Sequence, residues 1–277
     1  MATTQKEKAL RFQELHQRPG GFLIPNPWDA GSTRLLAGLG FEAFATSSAA
    51  AAGVLGRRDG GMTREESLAN AHVIVEATDL PVAADLEHGF GDSPAKAAET
   101  ILLAAQIGLV GGSIEDARAD REKPIYDIAL ATERIAASVE AAKSLPFPFT
   151  LAARAENYVR GNPDLDDTIK RLVAYEKAGA DVLFAPGLPD LKSVRAVCAA
   201  VSKPVNFAVA GRGRSFSVAE LVEAGVKRIS FAASFYRAAM TGLAEAAEEA
   251  RSKGTFSFLD RAMTTPELNQ FFVEQDR

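Results

Sequence analysis

Acidic side chains end two successive apolar segments of the sequence. Asp85 and Glu87 lie at the end of PVAADLE, and Glu115 and Asp116 lie at the end of GGSIED. Carboxylates that converge repel one another unless a hard cation lies between them, and ligation by oxygen alone is typical of Mg²⁺ or Mn²⁺. We therefore predict a metal site on Asp85, Glu87 and Glu115. Acids of this kind also cap helices or pair with arginine, and the spacing leaves that alternative open.

An arginine ends a third segment. Arg154 follows FTLAA and stands two residues before Glu156. A guanidinium in an apolar segment needs a carboxylate or an anionic ligand, and its planar fork suits the carboxylate of a small molecule. The sequence predicts that Arg154 binds substrate. A structural pair with Glu156 or Glu115 is the alternative.

Small and amide side chains occur in two more segments. Ser47, Ser48 and Ala49 follow AFA, where exposed backbone amides would let an anion approach closely, although small residues also serve tight packing. Asn206 lies within PVNFAV, and we predict that all four residues bind substrate. Because no lysine ends any of these segments, Schiff-base chemistry is not expected.

These residues need a scaffold that brings the ends of separate segments together. Stretches with helical spacing lie between the apolar segments, a pattern typical of a parallel α/β fold. Gly40, Gly108, Gly179 and Gly225 each stand shortly before a segment, as glycines that end helices do. The predicted strands are residues 22–26, 43–47, 81–87, 111–116, 149–156, 181–186, 204–209 and 228–233.

Eight such strands predict an α/β protein with the (β/α)8 barrel fold of triosephosphate isomerase. The active site of such a barrel lies at the carboxyl ends of its strands, where the acids and the arginine stand. We predict that the barrel covers residues 1–255. Residues 256–277 form a helical tail, which is apolar enough to pack on the barrel or on a neighbouring subunit.

Composition excludes several classes of protein. The 277 residues are 47% hydrophobic, which suffices for one large core, and the net charge of -5 argues against a nucleic-acid partner. The single cysteine, Cys198, excludes an internal disulfide and a multi-thiolate zinc site. A polar start and short apolar runs lead us to expect a soluble, cytoplasmic protein without a membrane partner.

The order of the segments resembles the isocitrate lyase/phosphoenolpyruvate mutase superfamily. The resemblance is carried by NPWDAGSTRLLAGLGFEAFATSSAA, GRRDGG, VAADLEHGFGD, SIED and LAARAENY. It implies an α/β barrel that binds Mg²⁺ and an oxo acid or enolate, and that breaks or forms bonds to the carbon next to the carbonyl. It further implies that Asp85 binds the metal directly and that Glu87 and Glu115 support it, partly through water. In many members an aspartate stands where this chain has Glu87.

The same resemblance implies roles for other residues. Asp59, in GRRDGG, matches an acidic position near the site. The segment from Ser47 to Ala49 matches the one that holds the carboxylate and carbonyl oxygen of the substrate, and Arg154 matches the substrate-binding arginine. The predicted catalytic residues are Asp59, Glu115 and Arg154. Members of the family are typically tetramers that exchange a C-terminal helix, so a homo-oligomer is expected.

The loop after the fourth segment separates the candidate reactions. Isocitrate and methylisocitrate lyases carry a Cys-Gly-His motif there, whereas this chain has ARADREKPIYD without cysteine. Phosphonate-cleaving members use a gating loop with Asn, Ser or Thr and a histidine after the sixth strand, where this chain has Ala185, Pro186 and Gly187.

The favoured hypothesis is a Mg²⁺-dependent lyase or decarboxylase that acts on an oxaloacetate-like 2-oxo acid through an enolate-like intermediate. One alternative is the chemistry of a phosphoenolpyruvate mutase or a phosphonopyruvate hydrolase, with Arg121 or Lys123 in the gating loop. The other is a barrel that binds a 2-oxo acid without turnover.

Overall fold

Eight parallel strands curve into a barrel in the computed structural model, which describes residues 3–118, 122–213 and 215–272. Each strand lies within the range that the sequence predicts for it. In chain order, β1 to β8 of the described residues are Phe22–Ile24, Phe44–Ala45, Val82–Asp85, Gly111–Glu115, Thr150–Arg154, Val182–Phe184, Val205–Ala208 and Arg228–Ser230.

The barrel closes between its first and second strands. Parallel ladders join the strands in the order β1-β8-β7-β6-β5-β4-β3-β2. Across the remaining gap, the backbone N–H of Ala45 donates to the carbonyl of Pro25 at 3.1 Å, and the side-chain amide of Asn26 donates to the carbonyl of Thr46 at 2.9 Å. The predicted (β/α)8 fold is confirmed.

Helices alternate with the strands and begin mostly at Ser, Thr or Asp side chains that cap them. The four glycines predicted to end helices, Gly40, Gly108, Gly179 and Gly225, all have positive φ, between 89° and 104°. In the described residues, α1 to α11 are Gln5–Gln17, Ala30–Gly38, Ser48–Val54, Arg64–Glu76, Pro94–Gln106, Ile128–Lys143, Leu165–Ala178, Leu191–Ala200, Val218–Glu223, Ser234–Lys253 and Thr265–Asn269, with a 3-10 turn at Ser257–Asp260.

Helix α1, which the sequence did not reveal, covers the amino ends of the strands. Its Phe12 and Leu15 pack in one buried cluster with Phe22 at the start of β1. The imidazole of His16 lies edge-on to the rings of Phe12 and Phe22, at centroid distances of 4.8 and 4.9 Å. Because apolar side chains close this end of the barrel, ligands of the strand-end acids must enter from the other end.

The C-terminal region behaves differently from the other helices. None of the described residues of α10 is buried, and Leu243 is 61% exposed. Beyond α11 the chain returns to α2, where a Cβ built on Gly38 would lie 2.4 Å from the Phe271 ring. A single chain therefore leaves the apolar side of α10 uncovered.

No helix among the described residues is long and apolar enough to cross a bilayer.

Candidate functional site

Arg154 lies at the centre of a group of carboxylates on three neighbouring strands. It ends β5 and pairs in register with Glu115, which ends β4. Nη1 of Arg154 donates to Oδ1 of Asp85 at 2.8 Å, and Nη2 lies 3.0 Å from Oε2 of Glu115. Nε donates to Oε1 of Glu156 at 2.9 Å. The structure thus brings together three strand-end residues that the sequence singled out.

The guanidinium of Arg154 is held tightly. Its side chain is 14% exposed and also lies over the Phe184 ring. Burial alone lowers the pKa of Arg154, but the charges of Glu156, Glu115 and Asp85 outweigh it and raise that pKa well above its usual value. Three carboxylates occupy most of the N–H groups of Arg154. Arg154 can therefore attract an anionic ligand by its charge, but it has no free pair of N–H groups for bidentate hydrogen bonding. The sequence left open an ion pair of Arg154 with Glu156 or Glu115, and the structure contains both pairs.

The group contains more carboxyl groups than guanidinium groups. Burial and the neighbouring Glu156 raise the pKa of Glu115 well above its ordinary value, and burial together with the charges of Asp85 and Asp59 raises the pKa of Glu87 to about 7. The described acids of the group are Asp85, Glu87, Glu115 and Glu156, and the described arginines that contact them are Arg154 and Arg160. The raised pKa values reflect burial and repulsion among these acids, and a divalent cation would favour their ionised forms.

Glu87 reaches the group by a route that differs from the predicted one. The predicted strand 81–87 would place Asp85 and Glu87, two residues apart, on one face of the sheet, but β3 ends at Asp85. Glu87 lies in the following turn with a φ of 49°, and its backbone N–H donates to Oδ1 of Asp85 at 3.2 Å. Its proximity to Asp85 therefore comes from a tight turn and not from strand alternation.

The acids suit a hard cation by their chemistry, although they are not arranged as a finished cage. No group of three or more metal-ligating side chains converges on one point among residues 3–118, 122–213 and 215–272. Asp85 accepts hydrogen bonds from Arg154 and Glu87 through Oδ1, and from the backbone of Ser48 through Oδ2 at 3.3 Å. An oxygen-only set of this kind fits Mg²⁺, which keeps several waters and needs one or two carboxylates.

The predicted substrate-binding residues divide into two places. Ser47 caps α3, whose first residue, Ser48, lies against Asp85, and Ala49 follows in the same turn. Asn206 is buried inside the barrel, where its Oδ1 accepts a hydrogen bond from Arg228 Nε at 2.8 Å. The structure brings Ser47, Ser48 and Ala49 to the acids, but it occupies the amide of Asn206 with protein partners.

Asp59, which was predicted to be catalytic, and Asp116, which follows Glu115 in the sequence, differ in their surroundings. Asp59 is exposed in the loop between α3 and α4, and its carboxylate accepts the backbone N–H of Gly60 at 3.1 Å. Asp116 is buried, and its carboxylate accepts hydrogen bonds from Arg171 at 3.0 Å and from the hydroxyl of Tyr175 at 2.6 Å. Asp116 thus holds β4 to α7, whereas Asp59 stands near enough to Glu87 to affect its charge.

Comparison with known proteins gives this arrangement a family. The family model described as phosphoenolpyruvate phosphomutase matches residues 12–251, which is most of the chain. The chain belongs to the isocitrate lyase/phosphoenolpyruvate mutase superfamily. The resemblance expected from the sequence is thereby confirmed.

Three relatives illustrate the superfamily. The chain is 51% identical, with a TM-score of 0.96, to the solved structure of a Burkholderia cenocepacia J2315 protein provisionally described as a lyase/mutase, and the match covers 98% of both chains. It is 31% identical over 241 residues to 2-methylisocitrate lyase of Escherichia coli K12, covering 83% of this chain and 80% of that enzyme. It is 28% identical over 228 residues to oxaloacetate decarboxylase 2 of Pseudomonas putida W619, covering 80% and 74%. The superfamily to which the chain belongs consists of enzymes, and lyases are among them.

The loop that separates the reactions of the superfamily is only partly described. Its ends are joined by a bridge between Ala117 and Ile125, and the backbone N–H of Tyr126 donates to the carbonyl of Asp116 at 2.8 Å. Arg121, proposed from the sequence for a gating role, lies outside the described residues. The bridged base fixes the point from which the loop leaves the barrel.

Arg134 is a member of the site region that the sequence did not reveal. It is 1% exposed on α6, and its guanidinium lies 4.4 Å from the Tyr126 ring centroid. It donates to the carbonyls of His88 and Gly91 in the turn after β3, the turn that carries Glu87. A helix-surface arginine would look the same in sequence, so only the fold exposes this contact.

Arg160 is the second residue that the sequence missed. It lies in the loop after β5, four residues beyond Glu156, and its Nη2 donates to Oε1 of Glu115 at 3.1 Å. The spacing of an acid and an arginine by four residues was visible in AENYVRG, but the direction of a loop side chain is not readable from sequence. The site of this chain therefore contains a second arginine.

Proposed function

We propose that this protein is a Mg²⁺-dependent lyase that breaks or forms a C–C bond to the carbon next to the carbonyl of a small 2-oxo acid. The observation that carries the proposal is Arg154 held among Asp85, Glu115 and Glu156 at the carboxyl ends of the strands. A lyase and a decarboxylase among the relatives support the same reaction class.

The metal would be held by few protein groups. Asp85 would bind it directly, and Glu87 and Glu115 would support it, partly through water; Mn²⁺ would suit the same oxygens. When bound, the ion supplies Lewis-acid stabilisation of negative charge on the oxygens of the substrate.

The protein groups would bind and orient the acid. The positive charge of Arg154 favours the carboxylate next to the carbonyl, and Ser47, Ser48 and Ala49 form a wall of small residues beside Asp85. In an oxaloacetate-like acid, the C3–C4 bond breaks and its electron pair forms the C2–C3 double bond of an enolate. Carbon dioxide leaves, and a proton then adds to C3, so the reaction needs no redox cofactor.

A second candidate is P–C bond chemistry of the mutase or hydrolase type. The family model that matches this chain takes its description from a phosphoenolpyruvate phosphomutase. Arg154 would then stabilise the negative charge of the pyruvate enolate, the acids would hold the metal, and the phosphoryl group would pass from C3 to the enolate oxygen in a mutase or to water in a hydrolase. A barrel that binds the oxo acid without turnover is the third candidate.

The experiment is a calorimetric titration of oxaloacetate, 2-oxoglutarate and phosphonopyruvate, each with and without Mg²⁺, followed by a product assay. We expect Mg²⁺-dependent binding and consumption of an oxo acid with C–C cleavage. A phosphorus NMR signal of a new phosphorus species from phosphonopyruvate would favour the second candidate. Binding without consumption of any of the three would favour the third and reject catalysis on these compounds.

A further inference from the structure

We propose that Arg160 is a specificity residue that binds the second carboxylate of a dicarboxylic substrate. The inference rests on the proposed function, because it concerns the same site and the same class of oxo acid. It adds a recognition element that distinguishes a di-acid from a mono-acid of equal length.

Position and exposure set Arg160 apart from Arg154. The Arg160 side chain is 41% exposed, whereas that of Arg154 is 14% exposed and enclosed by three carboxylates. Nη2 of Arg160 lies 3.1 Å from Oε1 of Glu115, and its Nε lies 4.0 Å from Oε2 of Glu156. Arg160 therefore contacts two of the acids that Arg154 contacts and still faces solvent.

The charge of the site explains why a second arginine is needed. A di-acid brings two negative charges to a place already rich in carboxylates, and Arg154 has few N–H groups left to offer. In the described parts of the chain, Arg154 and Arg160 are the arginines that form ion pairs with Asp85, Glu115 or Glu156. Arg160 is thus the cation available to the distal carboxylate.

The local backbone allows this side chain to move while its base stays fixed. The backbone N–H of Arg160 donates to the carbonyl of Glu156 at 3.0 Å, and the N–H of Asn162 donates to the carbonyl of Asn157 at 2.9 Å. In the ion pair with Glu115, Arg160 is 41% exposed and Glu115 is 6% exposed, and Glu115 also pairs with Arg154 at 3.0 Å, so that it keeps one cation when Arg160 turns away. Arg160 can exchange Glu115 for a substrate carboxylate without any change in the loop.

The test compares two four-carbon acids that differ only at C4. Oxaloacetate ends in a carboxylate and 2-oxobutyrate ends in a methyl group. The KM for oxaloacetate reports binding of an acid with a second carboxylate, and the inhibition constant of 2-oxobutyrate reports binding of an acid without one. For Arg160→Gln we expect the KM for oxaloacetate to rise about tenfold, with the 2-oxobutyrate constant within about twofold of wild type. Arg160→Lys should retain part of the preference, because it keeps the charge without the fork.

A matched control is Arg18→Gln, which removes an exposed arginine paired with Glu42 near the amino ends of the strands. It should leave both constants unchanged. Equal losses for both acids in Arg160→Gln would overturn the inference, because Arg160 would then act only by supporting Glu115. If the wild-type protein neither binds nor consumes oxaloacetate, the proposed function itself fails and the inference falls with it.

Discussion

Arg154 holds together carboxylates that would otherwise repel one another. Asp85, Glu115 and Glu156 come from different strands or turns, and each lies within 3.0 Å of one nitrogen of this guanidinium. Buried charges are costly unless they are paired, and removing one partner leaves the others uncompensated. The residue is therefore needed for the site to exist as well as for the substrate to bind.

Arg154→Met should lower the free energy of unfolding by about 3 kcal/mol, because it leaves three carboxylates without their cation. Urea unfolding followed by circular dichroism measures the change. Adding Glu115→Gln to Arg154→Met should recover part of the loss, since it removes one of the stranded charges. A single variant as stable as wild type would show that the acids do not depend on this arginine.

The sequence predicted the site residues that stand at the ends of strands. Asp85, Glu115 and Arg154 could be predicted because parallel strands bring their carboxyl ends to one edge. Asn206 was predicted by the same reasoning, but its amide hydrogen-bonds Arg228 and Ser230, and sequence does not reveal which inward side chains take one another as partners. Arg160 was missed because it follows the strand in a loop.

At the scale of elements, α6 supports the turn that carries Glu87. Glu87, Gly89 and Phe90 all have positive φ, which is unfavourable for the two residues other than glycine. The buried Arg134 of α6 donates to carbonyls of this turn. The turn thus takes its shape from a neighbouring helix.

Arg134→Met should raise the Mg²⁺ concentration for half-maximal binding about tenfold, because groups that orient metal ligands typically affect affinity to that extent. Thermal shift of the protein against Mg²⁺ concentration measures it without an activity assay. The control is Arg64→Met, which removes a partly buried arginine of α4 that pairs with Glu99 of α5. A lower melting temperature together with an unchanged Mg²⁺ concentration for half-maximal binding would show that the role of Arg134 is purely structural.

Helix α1 supplies a pH dependence at the other end of the barrel. Burial, reinforced by the charge of Arg228, lowers the pKa of His16 to about 3 from an ordinary value near 6.5. Below about pH 6.5, His16 therefore binds a proton in the unfolded chain but stays neutral in the folded chain. The free energy of unfolding falls as the pH decreases toward 3.

His16→Gln should remove this contribution, so its free energy of unfolding should depend less on pH between 7 and 4 than that of wild type. Urea unfolding at several pH values measures both slopes. His72→Gln, on the exposed side of α4, should keep the wild-type slope. Parallel wild-type and His16→Gln curves would contradict the assignment.

The predictability of elements followed the strength of their patterns. Helix α7 ends at its C-cap residue Gly179, as predicted, and the Asp164 carboxylate caps its first turn by accepting a hydrogen bond from the backbone N–H of Asp167. The end of β3 was placed too late, since a turn in which Glu87 takes a positive φ leaves no signature in the sequence. Helix α3 was missed because its alanines after Ser47 read as a continuation of the strand end.

At the scale of the whole molecule, α10 is the element that a single chain does not explain. Its apolar side chains are exposed, including Met240 at 43% and Leu243 at 61%, although it follows the last strand of the barrel. Apolar surface of this kind is stabilised by burial. We propose that α10 packs on a neighbouring subunit. The family resemblance led us to expect a homo-oligomer, but it placed the exchanged segment in residues 256–277.

Light scattering should show an oligomer, with a tetramer as the expected size. Leu243→Asp should dissociate it, because a charge would replace an apolar contact at the subunit interface. Leu10→Asp, at an exposed position of α1, should leave the size unchanged. A wild-type monomer would defeat the proposal.

The most direct test of the central claim is ¹³C NMR of oxaloacetate labelled at C3 and C4, incubated with Mg²⁺ and the protein. The account predicts loss of the C3–C4 coupling and the appearance of labelled pyruvate, at a rate well above that of Mg²⁺ alone and abolished by Asp85→Asn. A wild-type rate no greater than that of Mg²⁺ alone would contradict C–C cleavage of this acid at the Arg154 site.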